Sequence, residues 1–199
     1  NPHKEPGAGQ QQSASYYNKA FAENDDWQLH YTQSPYYFLW TVIVDRLRRL
    51  ENPRLLEIAC GPGQLASAIN DANVASSYVG FDFSETAVNF ARKRCPNLDF
   101  RIEDALKTNL LAELEYSAVI STEFLKHIEE DLGVLSRLRQ DTYFLGTVPS
   151  FPYVSHVRSF DNVAQVTERY APLFRDFSAV SIPGNDSGKI FYLLEGVKA

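Results

Sequence analysis

The sequence predicts an α/β protein: a sheet of mostly parallel strands with helices on both faces, finished by an antiparallel hairpin. Three observations carry this. Short apolar runs at Arg54–Ala59, Ser77–Phe81, Leu98–Ile102, Tyr116–Ser121 and Thr142–Val148 alternate with segments of helical pattern, as parallel strands joined by crossover helices do. Toward the C-terminus, Phe177–Ile182 and Lys189–Val197 are strand-like and separated only by Pro183-Gly184-Asn185-Asp186-Ser187-Gly188. A link so short and turn-rich returns the chain antiparallel. Finally, 199 residues with 44% apolar and 22% charged content suit a single domain with one sizeable core.

The elements follow in order. Residues 1–15 hold two prolines, two glycines and three consecutive glutamines with almost no apolar side chains, so they form a disordered leader. From Tyr16 the composition turns aromatic, through Tyr17, Phe21, Trp27, Tyr31, Tyr36, Tyr37, Phe38 and Trp40. Tyr36, Trp40, Ile43, Leu47 and Leu50 recur at steps of four and three, which places them on one face of a helix entered at Pro35. The rings before Pro35 follow no such period and suit a lid over a pocket. Residues 16–52 are therefore an aromatic N-terminal cap, and 53–199 the α/β core. Within the core, Ser84 caps a helix ending near Arg94, and Leu132, Leu135 and Leu138 form an apolar stripe on another.

Charge and cysteine content narrow the function. Nineteen basic against twenty-five acidic residues give a net charge of −6, which offers no general attraction for nucleic acid or an anionic membrane. No apolar stretch is long enough to span a bilayer and no signal sequence opens the chain. Cys60 and Cys95 stand apart, without a CxxC or a Cys/His cluster, and suit free thiols in a reducing, cytoplasmic compartment rather than metal ligands.

The densest chemical signal is Leu55-Leu56-Glu57-Ile58-Ala59-Cys60-Gly61-Pro62-Gly63-Gln64-Leu65-Ala66. A strand running through glycines into a helix brings bare backbone amides against a ligand, because side chains at Gly61 and Gly63 would fill its space. A plain tight turn, or a dinucleotide fingerprint read from Gly61, Gly63 and Ala66, fits the same residues. Asp82, at the end of the next strand, is placed to accept hydrogen bonds from ribose hydroxyls, with Phe83 beside it. The third strand ends in Ile102-Glu103-Asp104-Ala105, which offers an acceptor for an adenine amine. Glu57 would repel a pyrophosphate and suits a cationic, amine-bearing ligand instead.

On these residues the chain, from about Tyr16 to its end, resembles the class I S-adenosylmethionine-dependent methyltransferases. Glu57 to Gly63 resembles the family's first motif, Asp82 its ribose-binding acid, and Glu103-Asp104-Ala105 its adenine-side motif. One departure is Ala59, which stands where the family usually has its first glycine. The resemblance implies a Rossmann-like seven-stranded mixed sheet, six strands parallel and one antiparallel. It also implies S-adenosylmethionine as cofactor, held by Glu57, Ala59, Gly61, Gly63, Asp82, Phe83, Asp104, Ala105 and Ser121.

The acceptor side must be sought in this chain's own residues. Beyond the fourth strand, Glu123 and His127 are four apart and would share one face of a helical turn, with His127 the natural base near neutral pH. A capping or packing histidine fits there too. Beyond the fifth strand, His156 and Arg158 alternate with Val157, and Arg158 suits an anionic group. Tyr31 of the cap joins Glu123, His156 and Arg158 as candidate contacts to the acceptor. Glu123, His127 and His156 also partly resemble the RNA 3′-terminal ribose methyltransferases, which carry E-x-x-E-H here. Lys126 occupies the place of the second acid and would repel an ion, so no metal is expected. The expected function is methyl transfer to a small-molecule acceptor, with no nucleic-acid or membrane partner. A module that binds the cofactor without turnover, or an RNA ribose methyltransferase, are the alternatives.

Overall fold

The computed structural model describes residues 9–185 and 188–199. Its seven strands form one sheet in the order β3-β2-β1-β4-β5-β7-β6. Where the sequence suggests a single domain, the contacts divide the chain into two compact units. One comprises Ser13–Thr108 with Glu115–Ala118; the other takes Asn109–Leu114, Val119–Ala199 and the described residues up to Gln12. Among the described residues, no helix is long and apolar enough to cross a membrane.

In the first unit, α1 (Ala14–Glu23) and α2 (Tyr37–Leu47) precede β1 (Arg54–Ile58), α3 (Gln64–Ala72), β2 (Ser77–Asp82), α4 (Glu85–Arg94) and β3 (Asp99–Ile102). β1 runs parallel to β2, pairing Leu55 with Tyr78 and Ile58 with Phe81, and β2 runs parallel to β3. Leu39, Ile43 and Leu47 of α2 are fully buried, as are Ile58 of β1 and Val88 of α4. That face is the one the step-of-four pattern marks, although the helix begins at Tyr37, with Tyr36 as its capping residue and Pro35 outside it.

Residues before Pro35 are more ordered than their lack of period suggests. Of the expected leader, residues 1–8 lie outside the described residues. Ser13 instead caps α1, its hydroxyl accepting the Tyr16 amide, so Ala14 and Ser15 are already helical. Tyr17 and Phe21, one turn apart on α1, meet the rings of Phe83 and Trp27. Trp27 in turn stacks on Tyr36, and Tyr36 on Trp40. Two side chains then staple the link between α1 and α2. The Gln64 amide donates to the carbonyls of Asp26 and Leu29, and the Arg94 guanidinium to those of Trp27 and Leu29. Carbonyls that no regular element satisfies are thus paired.

The second unit holds α5 (Leu110–Glu113), nearly all of β4 (Ala118–Thr122), α6 (Asp131–Ser136), β5 (Tyr143–Pro149), α7 (Val163–Tyr170), β6 (Phe174–Pro183) and β7 (Ile190–Lys198). β7 is antiparallel to both β5 and β6, the hairpin foreseen, although Asp186 and Ser187 of its turn lie outside the described residues. Its core is Phe144, Leu145, Phe160, Tyr170 and Leu194. Of the leucine stripe, Leu135 and Leu138 are buried while Leu132 is exposed, and Val134 takes its place inward. β6 breaks register between Arg175 and Ser178, with Asp176 in the left-handed region at φ +52°.

The staple has a measurable weight. Arg94→Ala leaves two carbonyls without their charged donor and should cost about 1.5–3 kcal/mol. Chemical denaturation should show that loss, and hydrogen exchange should show faster labelling confined to residues 24–33.

Candidate functional site

β1 ends in a turn that bends through three left-handed residues, Ala59 at φ +55°, Gly61 at +53° and Gly63 at +77°. A Cβ at Gly63 would lie 2.9 Å from the Ala91 backbone, so that glycine lets α3 start against α4. A Cβ at Gly61 would face the Phe21 ring at 3.8 Å. Ala59 adopts the same conformation with a side chain present, at a local cost of about 1–2 kcal/mol. The departure from the motif is therefore one of residue type and not of backbone shape.

Asp82 holds this turn to the end of β2. Its carboxylate accepts the Gly61 amide at 3.0 Å and the Ser84 amide at 2.8 Å. Burial pushes its pKa up to about 6, against the lowering effect of the amides of Ser84, Gly61 and Phe83. Asn18 of α1 reaches the same corner, its carbonyl oxygen accepting the Ser84 hydroxyl and the Thr86 amide. Next to it opens a cleft of about 420 Å³ lined by Phe83, Glu103 and Asp104, and also by Ala14, Ile102 and Lys107. Its size falls within the ordinary span of small-molecule sites, roughly 300–1,000 Å³. Asp104 accepts the Leu106 amide at 2.9 Å and pairs with Lys107 at 3.1 Å. Ala105 is buried and is not among the residues lining the cleft.

Glu57 is 1% exposed, and the Tyr78 hydroxyl donates to it at 2.5 Å. Burial pushes its pKa up to about 8; the Tyr78 bond lowers it and the Asp82 charge raises it. Tyr78 is absent from the sequence-derived site, because a tyrosine in an apolar run reads as core. Tyr31 stands elsewhere in the same unit: its hydroxyl donates to Asp71, in the last turn of α3.

The residues expected on the acceptor side lie in the second unit. Ser121, near the end of β4, is fully buried, and among the described residues its hydroxyl has no hydrogen-bond partner. Glu123 follows in the left-handed region at φ +56°. Its carboxylate pairs with the ammonium of Lys126 and accepts the Thr147 hydroxyl at 3.1 Å. Lys126 is 3% exposed and lies 5.9 Å from the Phe151 ring centre. Glu123 and His127 do not share the face of an α-helix, since Leu125–His127 is a single 3₁₀ turn.

His127 and His156 pack edge to face with ring centres 5.1 Å apart. His127 bonds through Nδ1 to the Ser155 carbonyl at 2.8 Å, and His156 through Nδ1 to the Phe151 carbonyl at 3.0 Å. Burial, followed by the Lys126 charge, pushes the pKa of His127 down to about 3 and that of His156 to about 4. Such a histidine is a weak base near neutral pH, so the base role expected of His127 finds no support in its surroundings. Arg158 also differs from expectation. It is buried, donates to the carbonyls of Leu125, Ile128 and Glu129, and lies 3.3 Å from Asp131. Its guanidinium splints the chain after β4 instead of awaiting an anionic acceptor. Asp131, 0% exposed, also binds Arg169 and the Tyr170 hydroxyl. Among the described residues, no three acidic, histidine or cysteine side chains group as metal ligands.

A family model described as a methyltransferase domain matches residues 55–140. The 235L protein of Invertebrate iridescent virus 6, named as a methyltransferase, is 26% identical over 102 residues, which are 51% of this chain and 35% of that protein. The chain thus spans about a third of the length of that curated relative. Among solved structures, the fold is similar to N-methyltransferase NodS from Bradyrhizobium japonicum WM9 in complex with S-adenosyl-L-homocysteine. The TM-score is 0.73 at 16% identity, over 94% of this chain and 99% of that one. It is also similar to magnesium protoporphyrin IX methyltransferase (ChlM) from Synechocystis PCC 6803 with bound S-adenosylmethionine. There the TM-score is 0.67 at 16% identity, over 94% and 97%.

The depressed histidines set a pH dependence for folding. Both are neutral in the fold and take up protons in the unfolded chain below their ordinary value of 6.5. Their contribution is fully present above pH 6.5 and is lost as the pH falls toward 3–4. Urea unfolding at steps between pH 7 and 4 should show stability falling by up to about 1.4 kcal/mol per pH unit for each histidine. His127→Gln should flatten that slope.

Proposed function

We propose that this chain, a class I S-adenosylmethionine-dependent methyltransferase by its domain and fold, passes the methyl group of its cofactor to a small-molecule acceptor. The observation that carries this is the clasp of Asp82 on Gly61 beside a cleft lined by Phe83 and Asp104. The residues fit the cofactor: a left-handed turn without a side chain at Gly61, carboxylates at two successive strand ends, and a buried acid before the turn, whereas the missing side chain at Gly63 makes room for α4 and not for a ligand. With the cofactor bound, Asp82 would accept hydrogen bonds from the ribose hydroxyls and Asp104 from the adenine amine, while Phe83 and Ile102, which line the cleft, would cover the ring faces. When bound, S-adenosylmethionine supplies a methyl group made electrophilic by the sulfonium that carries it.

On the acceptor side, Glu123 beyond the end of β4 is the group best suited to receive a donor from the substrate, since ligands of open parallel sheets meet the carboxyl ends of the strands. Lys126 and Thr147 hold its carboxylate in place. His127 and His156, with their pKa values pushed down to about 3 and about 4 by burial, are too weakly basic to take a proton near neutral pH. A nucleophile that needs little help in losing its proton, such as a neutral amine or an acidic hydroxyl, suits these groups. The net charge of −6 supports a small acceptor over a nucleic acid, as does the likeness to ChlM, whose name specifies a porphyrin.

Calorimetry on Asp82→Ala should show affinity for S-adenosylmethionine falling at least about tenfold, as charge-assisted bonds worth about 1.5–3 kcal/mol are lost. NAD should bind no better than adenosine. With labelled cofactor and a cell extract, the label is expected in the small-molecule fraction. Label in RNA or protein would refute the acceptor class, and unchanged affinity in Asp82→Ala would refute the cofactor site.

A further inference from the structure

Two carboxylates are buried at the cofactor turn, Glu57 at 1% exposure and Asp82 at 5%, and among the described residues neither forms an ion pair. The groups that act on Glu57 are the Tyr78 hydroxyl and Asp82 from β2, the Cys60 thiol of the turn, and the Cys95 thiol just past α4. None is a cation. A buried carboxylate without a countercharge takes up a proton instead.

The sequence builds this arrangement deliberately. Gly80 sits in the middle of β2, where glycine weakens a strand. A Cβ there would lie 2.5 Å from the Tyr78 hydroxyl and 3.0 Å from the Cys60 Cβ. Gly80 therefore gives the Tyr78 side chain the room it needs to reach Glu57. Among the described residues, the only hydrogen-bond donor supplied to Glu57 is a neutral hydroxyl, although the same chain uses arginines to neutralise Asp131.

We infer that Glu57, held by Tyr78 across Gly80, makes the cofactor site select by charge, keeping its proton while no cation is present and releasing it to solvent as S-adenosylmethionine binds. This rests on the cofactor assignment above and adds to it a means of telling cofactor from product. The carboxylic acid becomes a carboxylate, the proton goes to solvent, and no other bond changes. Adenosine brings no charge and S-adenosylhomocysteine only its amino-acid zwitterion, whereas S-adenosylmethionine adds the sulfonium. The site therefore favours the cofactor increasingly over the demethylated product as the pH rises toward 8. The raised proton affinity of Glu57 agrees, since the group is mostly protonated at neutral pH.

Calorimetric titration of the whole chain with adenosine, S-adenosylhomocysteine and S-adenosylmethionine, in phosphate and in Tris at pH 7.0, counts the protons released. Release should grow along that series and approach one for S-adenosylmethionine, whose affinity should then rise about tenfold from pH 6.5 to 7.5. Glu57→Gln should abolish the release at pH 7 and leave only a smaller one near pH 6 from Asp82. Tyr78→Phe removes a bond that favours the carboxylate, so it should move the release to higher pH, a shift that mere loss of packing would not produce. Wild-type protein that binds S-adenosylmethionine without releasing protons, or Glu57→Gln that releases as many, would overturn the inference while leaving the cofactor assignment intact. Failure of all three ligands to bind would overturn both.

Discussion

The bond from the Gly61 amide to Asp82 is the constraint on which the first unit depends. A turn through three left-handed residues has few regular hydrogen bonds of its own, and without an external acceptor its amides would be buried unpaired. Asp82 takes one of them with one carboxylate oxygen and the Ser84 amide, just beyond β2, with the other. The ends of two parallel strands are thereby locked at the point where α3 and α4 begin. Asn18 extends the lock to α1, so the N-terminal helix is tied to the same corner. The cleft beside Phe83 inherits its walls from these bonds.

Buried charge is handled in opposite ways in the two units. Asp131 receives two arginines and a tyrosine hydroxyl, a set that compensates its desolvation and leaves nothing for a ligand. Removing one partner of such a pair commonly costs about 3–5 kcal/mol. Arg158 simultaneously gathers three carbonyls after β4, which fixes the path of the segment carrying Glu123 and Lys126. At Glu57 the compensation is withheld, and the penalty is met by a proton. A fully compensated charge is architecture, whereas an uncompensated one remains responsive to what arrives.

Much of this was legible in the residues themselves. The seven strands, the antiparallel return, the glycine turn and Asp82 are all local patterns, set by alternation of apolar runs or by residue types that only a turn requires. The positions of Asp82 and Asp104, the acids proposed for the cofactor, were readable for the same reason, because they stand at or just past the ends of successive strands. Tyr78, Lys126 and Asp131 were not, since each acquires its meaning from a partner distant in sequence or from burial that no local pattern records. Lys126 is only three residues from Glu123, yet nothing in that spacing says that both sit out of water. Arg158 and His127 were assigned roles by position alone, and their hydrogen bonds to carbonyls redirect them. The order of residues 13–33 was hidden because its rings pack against one another and against Phe83 and Tyr36, and not on a continuous helical face.

β6 stands at the margin of the sheet, where a regular strand would present a free row of amides and carbonyls. Its register break at Arg175–Ser178, with Asp176 in the left-handed region, interrupts that row, and Pro183 ends it with a residue that cannot donate. Val180 is exposed on this strand, so an unbroken margin would join stickiness to a pairing template. The irregularity thus guards the chain against recruiting stray strands and lets a long C-terminal hairpin remain open to water without seeding aggregates.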